Sequence, residues 1–169
     1  MIQGGVMVVL KTLLFTVLAP GTVTILIPSL LLGSGRDSLA LDPGAVGLLG
    51  LIPMFIGAGF YAWCAWDFVV TGRGTPAPLE PPKTLVVRGL YRLVRNPMYV
   101  GVLLLLCGEA LFFKSALVLG YALLMFLIFH IFVIAYEEPT LRRMFGSSYE
   151  QYRMAVPRWI PRLGRGIAT

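Results

Sequence analysis

From Ala116 to Tyr136 the chain runs for more than twenty residues without an aspartate, glutamate, lysine or arginine. A run of that length is what an α-helix needs to cross about 30 Å of hydrocarbon. Further apolar segments near 5–32, 44–70 and 97–113 precede the one at 115–136, each recognised by its length and scarcity of charge. Backbone in lipid must satisfy its own hydrogen bonds, so these segments are read as helices. The expected fold is an all-α integral membrane protein with about four transmembrane helices plus a cytoplasmic C-terminal helix. In 169 residues, 57% of them hydrophobic and 13% charged, that leaves room for loops but not for a separate soluble domain. Residues 1–169 are therefore taken as one membrane domain, with a loop at 71–96 and a polar tail at 137–169.

Charge supplies the orientation. Eleven of the fourteen basic residues lie in that loop and tail. Two segments separated by a two-span hairpin share one side of the membrane, and the positive-inside rule assigns it to the cytoplasm. Both termini are then cytoplasmic, and the host membrane is the inner one if the source is prokaryotic. The N-terminal "MIQGGVMVVLKTLLF" lacks a basic n-region and a cleavage site and is read as mature chain. The basic residues hug the membrane without a recognisable nucleic-acid module, so the expected partner is the bilayer and not nucleic acid. Cys64 and Cys107 lie inside apolar segments and read as small buried thiols, and no metal-ligand set is assigned. Pro20, Pro28 and Pro53 are expected to kink or shorten their helices.

Two places depart from plain membrane helix. In "RNPMYVGVLLLL" the third span begins at Asn96-Pro97. The residue before proline avoids the α region, which suits Asn96 to an N-cap and Pro97 to the first turn. The unpaired N–H groups of such a helix start can also receive an anion. In "AYEEPTL", Glu137 and Glu138 stand together at the end of the fourth span. Adjacent carboxylates there oppose the helix dipole and repel each other. They call for a positive partner, either Arg142 and Arg143 one turn on or a cationic ligand. His130 precedes Glu137 by seven residues, close to the same face of a regular helix. An ionisable group at that depth is a candidate site residue, with a packed histidine as the alternative. Asp67 and Glu109 lie near span ends, within reach of headgroups.

Taken in order, "LVVRGLYRLVRNPMYVG", "YEEP" and "FGSSYEQYRMAVPRWIP" resemble the membrane-embedded S-adenosylmethionine-dependent methyltransferases that include isoprenylcysteine carboxyl methyltransferase and phosphatidylethanolamine N-methyltransferase. The resemblance covers roughly residues 57–161. It implies that Lys83, Thr84, Leu85, Val86, Tyr91, Asn96, Pro97, Met98 and Tyr99 line a pocket for S-adenosylmethionine, with Arg95 among them. It also implies that Glu137 and Glu138 are the acidic pair of that pocket. Gly57 and Gly59 match a Gly-x-Gly of the phospholipid enzymes. The C-terminal helix, near 140–154, is expected to roof the pocket, with Tyr149, Tyr152 and Arg153 lining or bracing it. Two positions depart from the prenylcysteine branch: Asn96 replaces a histidine, and Val133 stands where that branch has a substrate-contacting arginine.

The chemistry implied is in-line methyl transfer to a membrane-soluble acceptor, a lipid amine or another small lipophilic nucleophile. Holding donor and acceptor in line can supply several kcal/mol of the barrier reduction. An amine acceptor requires a base, for which His130 and Glu137 are the candidates. The competing classes are a small transporter or channel, which would normally place polar residues along a midplane path, and a structural membrane protein.

Overall fold

The computed structural model describes residues 2–34, 44–72 and 84–161, and all regular structure among them is helical. Helices α1 (Ile2–Leu18) and α2 (Ile27–Gly33) form one bent span. The short α3 (Gly44–Leu48) leads into α4 (Leu51–Asp67). A 3₁₀ turn, Gly89–Arg92, precedes α5 (Pro97–Phe112), which returns as α6 (Ala116–Phe132) and continues into α7 (Glu138–Ala155). Among the described residues, three stretches are long and apolar enough to cross a membrane: Val9–Gly33, Gly44–Val70 and Ala116–Ala155. The expected third span, α5, is a shorter apolar helix of 16 residues, about 24 Å at 1.5 Å per residue. The chain is an integral membrane protein, with Leu14, Val17, Phe55, Trp66, Leu123 and Ile131 turned outward.

Glycine brings α4 and α5 together. A Cβ on Gly57 would lie 2.5 Å from the Gly101 carbonyl, and one on Gly50 would lie 2.5 Å from that of Gly108. Only hydrogen fits, so the two backbones touch, as small residues allow in membranes. The α5–α6 hairpin turns through Lys114 at φ 50°, and the Ser115 side chain caps α6 by accepting from the Val118 N–H at 3.1 Å.

Pro20 and Pro53 shorten the regular helices as expected, since α1 stops at Leu18 and α4 starts only at Leu51, whereas Pro28, like Pro139, is absorbed in a π turn. In Thr22–Leu26 the N–H of Ile27, the residue before Pro28, reaches back to the Thr22 carbonyl. In Val133–Glu137 the N–H of Glu138, the residue before Pro139, reaches the Val133 carbonyl. Ile27 and Glu138 both stay in the α region, so what must be accommodated is the proline ring and its missing N–H, and widening the turn by one residue lets the helix continue. The fourth span and the C-terminal helix are thus continuous, in place of the separate helix expected near 140. The break in α7 comes at Gly146, whose φ of 51° and ψ of −124° glycine adopts readily. Beyond it, Tyr149, Tyr152 and Val156 pack with Leu85, Leu141 and Phe145.

Three smaller expectations change. Cys64 is buried, but Cys107 is exposed on the outer face of α5. Asp67 is 3% exposed and buried beside Gly89 and Trp63, with Arg88 Nε 3.9 Å from its carboxylate. Glu109 has a buried carboxylate oxygen without a hydrogen-bond partner among the described residues.

Candidate functional site

A cavity of about 340 Å³ lies between the first span, α4, α5 and α6. Its walls are apolar: Phe15, Ala19, Pro20 and Val23 on one side, Val102, Ile128, Phe129 and Phe132 on the other. One end is polar, formed by Tyr91, Arg95, Asn96, Tyr99 and Glu137. Behind this end is a niche of about 20 Å³, lined by Arg95, Asn96, Val133, Glu137, Glu138, Leu141, Tyr149 and Tyr152. Arg95, Asn96 and Glu137 belong to both and form the partition between them.

The two glutamates have separate partners. Glu138 is held by Arg158 through Nε at 2.6 Å and Nη2 at 3.1 Å, and by Arg95 Nη1 at 3.0 Å. These arginines, and not Arg142 and Arg143, answer the acidic pair; Arg142 is turned to Glu150. Glu137 accepts a hydrogen bond from the Tyr99 hydroxyl at 3.0 Å, and no ion pair joins it among the described residues. Successive residues of a helix point about 100° apart. Glu137 then faces the cavity, while Glu138 faces the arginines.

The π turn over Val133–Glu137 adds one residue to the register and so separates His130 from Glu137. His130 lies outside both cavity walls. Its Nδ1 accepts a hydrogen bond from Trp159 Nε1 at 3.1 Å, and its ring stacks on Phe126. Trp159 belongs to a strap, residues 156–159, that crosses the start of α5. The Arg95 N–H donates to the Pro157 carbonyl at 2.8 Å, and Asn96 Nδ2 to the Arg158 carbonyl at 3.1 Å. Asn96 therefore occupies the N-cap position without capping, since its side chain is spent on the strap.

Tyr91, Arg95, Asn96, Met98, Tyr99 and Glu137 meet at the cavity, and Glu138, Tyr149 and Tyr152 at the niche. Tyr152 donates to the Tyr91 carbonyl at 2.7 Å, which ties α7 over this end. Burial pushes the Tyr91 phenol well above its ordinary range, so it stays neutral. Leu85 and Val86 pack just outside, in the clusters around Tyr149 and Cys64. Several expected residues are not brought to the walls. Gly57 is a contact between helices, and Gly59 faces open space. Pro97 is buried at the helix start, Thr84 is exposed, and Arg153 pairs with Glu150 at 3.0 Å on the surface. Lys83 lies outside the described residues. Sequence reasoning assigned no role to Arg158, Trp159 or the first-span residues. Arg158 and Trp159 fall inside the motif "VPRWIP", the signal that could have marked them.

A profile of the phospholipid methyltransferase family matches residues 46–148, which include α4, α5, α6 and both glutamates. The chain belongs to the phospholipid methyltransferase family. It is 40% identical over 80 residues to a protein-S-isoprenylcysteine O-methyltransferase of Schizosaccharomyces pombe, covering 46% of this chain and 33% of that protein. It is 32% identical over 152 residues to the cobalt-zinc-cadmium resistance protein CzcN of Cupriavidus metallidurans, covering 87% of this chain and 64% of that one. A probable protein-S-isoprenylcysteine O-methyltransferase of Oryza sativa subsp. indica is 34% identical over 83 residues, 48% of this chain and 43% of the relative. The chain thus spans between one third and just under two thirds of these curated relatives. No solved structure matches it.

Proposed function

We propose that this family member is an S-adenosylmethionine-dependent methyltransferase acting on a membrane-soluble acceptor at the cytoplasmic face. The observation that carries the reading is the asymmetry of the cavity, apolar along its length and polar where Tyr99, Glu137 and Arg95 meet. A lipophilic acceptor would leave its tail among Phe15, Val23, Ile128 and Phe132 and present its head to Glu137. The residues also suit the donor. Arg95, its side chain 9% exposed, keeps a buried Nε without a hydrogen-bond partner among the described residues, a position for a carboxylate. Glu137 offers an acceptor for an ammonium or hydroxyl group.

When bound, the donor supplies an electrophilic methyl group on a sulfonium. The chain's part is to place, orient and exclude water, which suffices for much of a displacement barrier. With an amine acceptor, the nitrogen takes the methyl and gives up a proton, for which the Glu137 carboxylate, oriented by Tyr99, is the base. His130 is less suited, because its acceptor nitrogen is engaged by Trp159. Val133, 1% exposed and lining the niche, offers no charge to a carboxylate head, which favours an amine or another small neutral nucleophile. The basic residues of 88–95 and 142–158 lie at this end, so the positive-inside rule makes it cytoplasmic.

The test is equilibrium binding of S-adenosylmethionine and S-adenosylhomocysteine to the detergent-solubilised chain, followed by comparison of membrane lipids with and without the gene. Saturable binding that weakens in Glu137→Gln supports the reading. No binding at millimolar donor would reject it.

A further inference from the structure

We infer that Trp159 is a positioning residue of the site and that His130 acts through it rather than on the substrate. The inference rests on the proposed reading of Tyr99 and Glu137 as the place where acceptor and donor meet.

Tyr99 is held on three sides. One face stacks on Phe129 with ring centroids 4.7 Å apart, Trp159 approaches with its centroid at 6.5 Å and a 54° tilt, and the hydroxyl reaches Glu137 at 3.0 Å. Trp159 is in turn fixed by Phe126 at 5.5 Å, by the His130 ring at 6.1 Å, and by the Nε1 hydrogen bond to His130 Nδ1. Tyr99 and Glu137 line the cavity, whereas Trp159 and His130 stand behind them.

The hydrogen bond decides the role of His130. An indole nitrogen can only donate, so Nδ1 must accept, and the imidazole is then neutral with its proton on Nε2. Its one basic lone pair is used by Trp159. What His130 can do is stop the indole from turning, and the indole limits the tilt of Tyr99. That tilt sets where the hydroxyl holds the Glu137 carboxylate.

The experiment compares Trp159→Phe, His130→Ala and the double variant in the full chain in nanodiscs. The readouts are donor affinity, turnover, the pH–rate profile and the ¹⁹F resonance of fluorotyrosine at Tyr99. Trp159→Phe keeps an aromatic ring while removing the Nε1 donor and part of the indole's packing area, a smaller change than alanine that guards against misfolding. Each single variant is expected to lower turnover about tenfold, as for one lost hydrogen bond, with donor affinity within about twofold. The double variant should be no worse than either, because the two residues act as one unit. The Tyr99 resonance should shift alike in both single variants. Losses that multiply, with His130→Ala alone changing the pH profile, would make His130 a base and overturn the inference. An unmoved Tyr99 resonance with wild-type turnover would reduce Trp159 to a membrane anchor and overturn it equally. Should the wild type neither bind donor nor turn over, the proposed function fails, and the Tyr99 resonance alone decides the positioning role.

Discussion

Glu138 and Arg158 meet in parallel, Nε on Oε1 at 2.6 Å and Nη2 on Oε2 at 3.1 Å, and the contact fastens the chain's last described segment to the start of α7. Bidentate geometry of this kind is specific to arginine. Arg158→Lys should keep the charge but lose one bond, and Arg158→Ala should leave Glu138 with Arg95 alone. The expected cost of the alanine is about 1.5–3 kcal/mol, read as a lower Tm in detergent, with the lysine variant between it and wild type.

The neighbouring glutamates should separate by phenotype. Glu137→Gln removes a carboxylate that faces the cavity and should weaken donor binding by roughly one to two decades, the worth of a charge-assisted hydrogen bond. Glu138→Gln should chiefly lower Tm, because its partners are Arg95 and Arg158. Calorimetric binding and thermal unfolding on the same preparations check both, and equal loss of affinity in the two variants would contradict the division.

Much of this arrangement is readable in the sequence, and the failures trace to particular backbone features. The apolar runs mark the spans, Pro97 marks the start of α5, and the pairing of "RNPMY" with "YEEP" points to residues that do meet at the cavity. What periodicity does not reveal is the π turn at Val133–Glu137. A regular helix puts His130 and Glu137 on one face; the one extra residue of the turn parts them. The strap was equally hidden, because Asn96 has the signature of a cap and spends its side chain on Arg158 instead.

Glycine substitutions test the α4–α5 contact. Gly101→Ala would place a Cβ 2.8 Å from the Gly57 carbonyl, so the helices must part. The expected destabilisation is about 1–3 kcal/mol, as for overpacking. Gly59→Ala meets nothing within 4 Å and should leave Tm unchanged or raised slightly. Parallel melting curves distinguish the two.

Filling the cavity should separate acceptor from donor. Val23→Trp adds bulk on the first-span wall, far from Arg95 and Glu138 along the chain. Turnover of long-tailed acceptors should fall at least tenfold, while a short-chain analogue and donor affinity change little. A displaced tail returns to lipid, so what is lost is steric fit and packing against the cavity wall rather than burial from water, and the defect should deepen with tail length in a chain-length series.

The wide turns before Pro28 and Pro139 make this fold sensitive to length in a way that composition conceals. Removing one residue from 133–137 would leave the hydropathy of the segment nearly intact and would still cross the bilayer. It would also turn everything upstream by about 100° relative to α7, carrying the aromatic wall away from Glu137. A deletion of this sort is harmless in a helix that serves only as an anchor. Here it would yield a protein that inserts and folds yet has its active groups out of phase, so single-residue indels, scanned along the fourth span, are the mutations that would map the working surface most sharply.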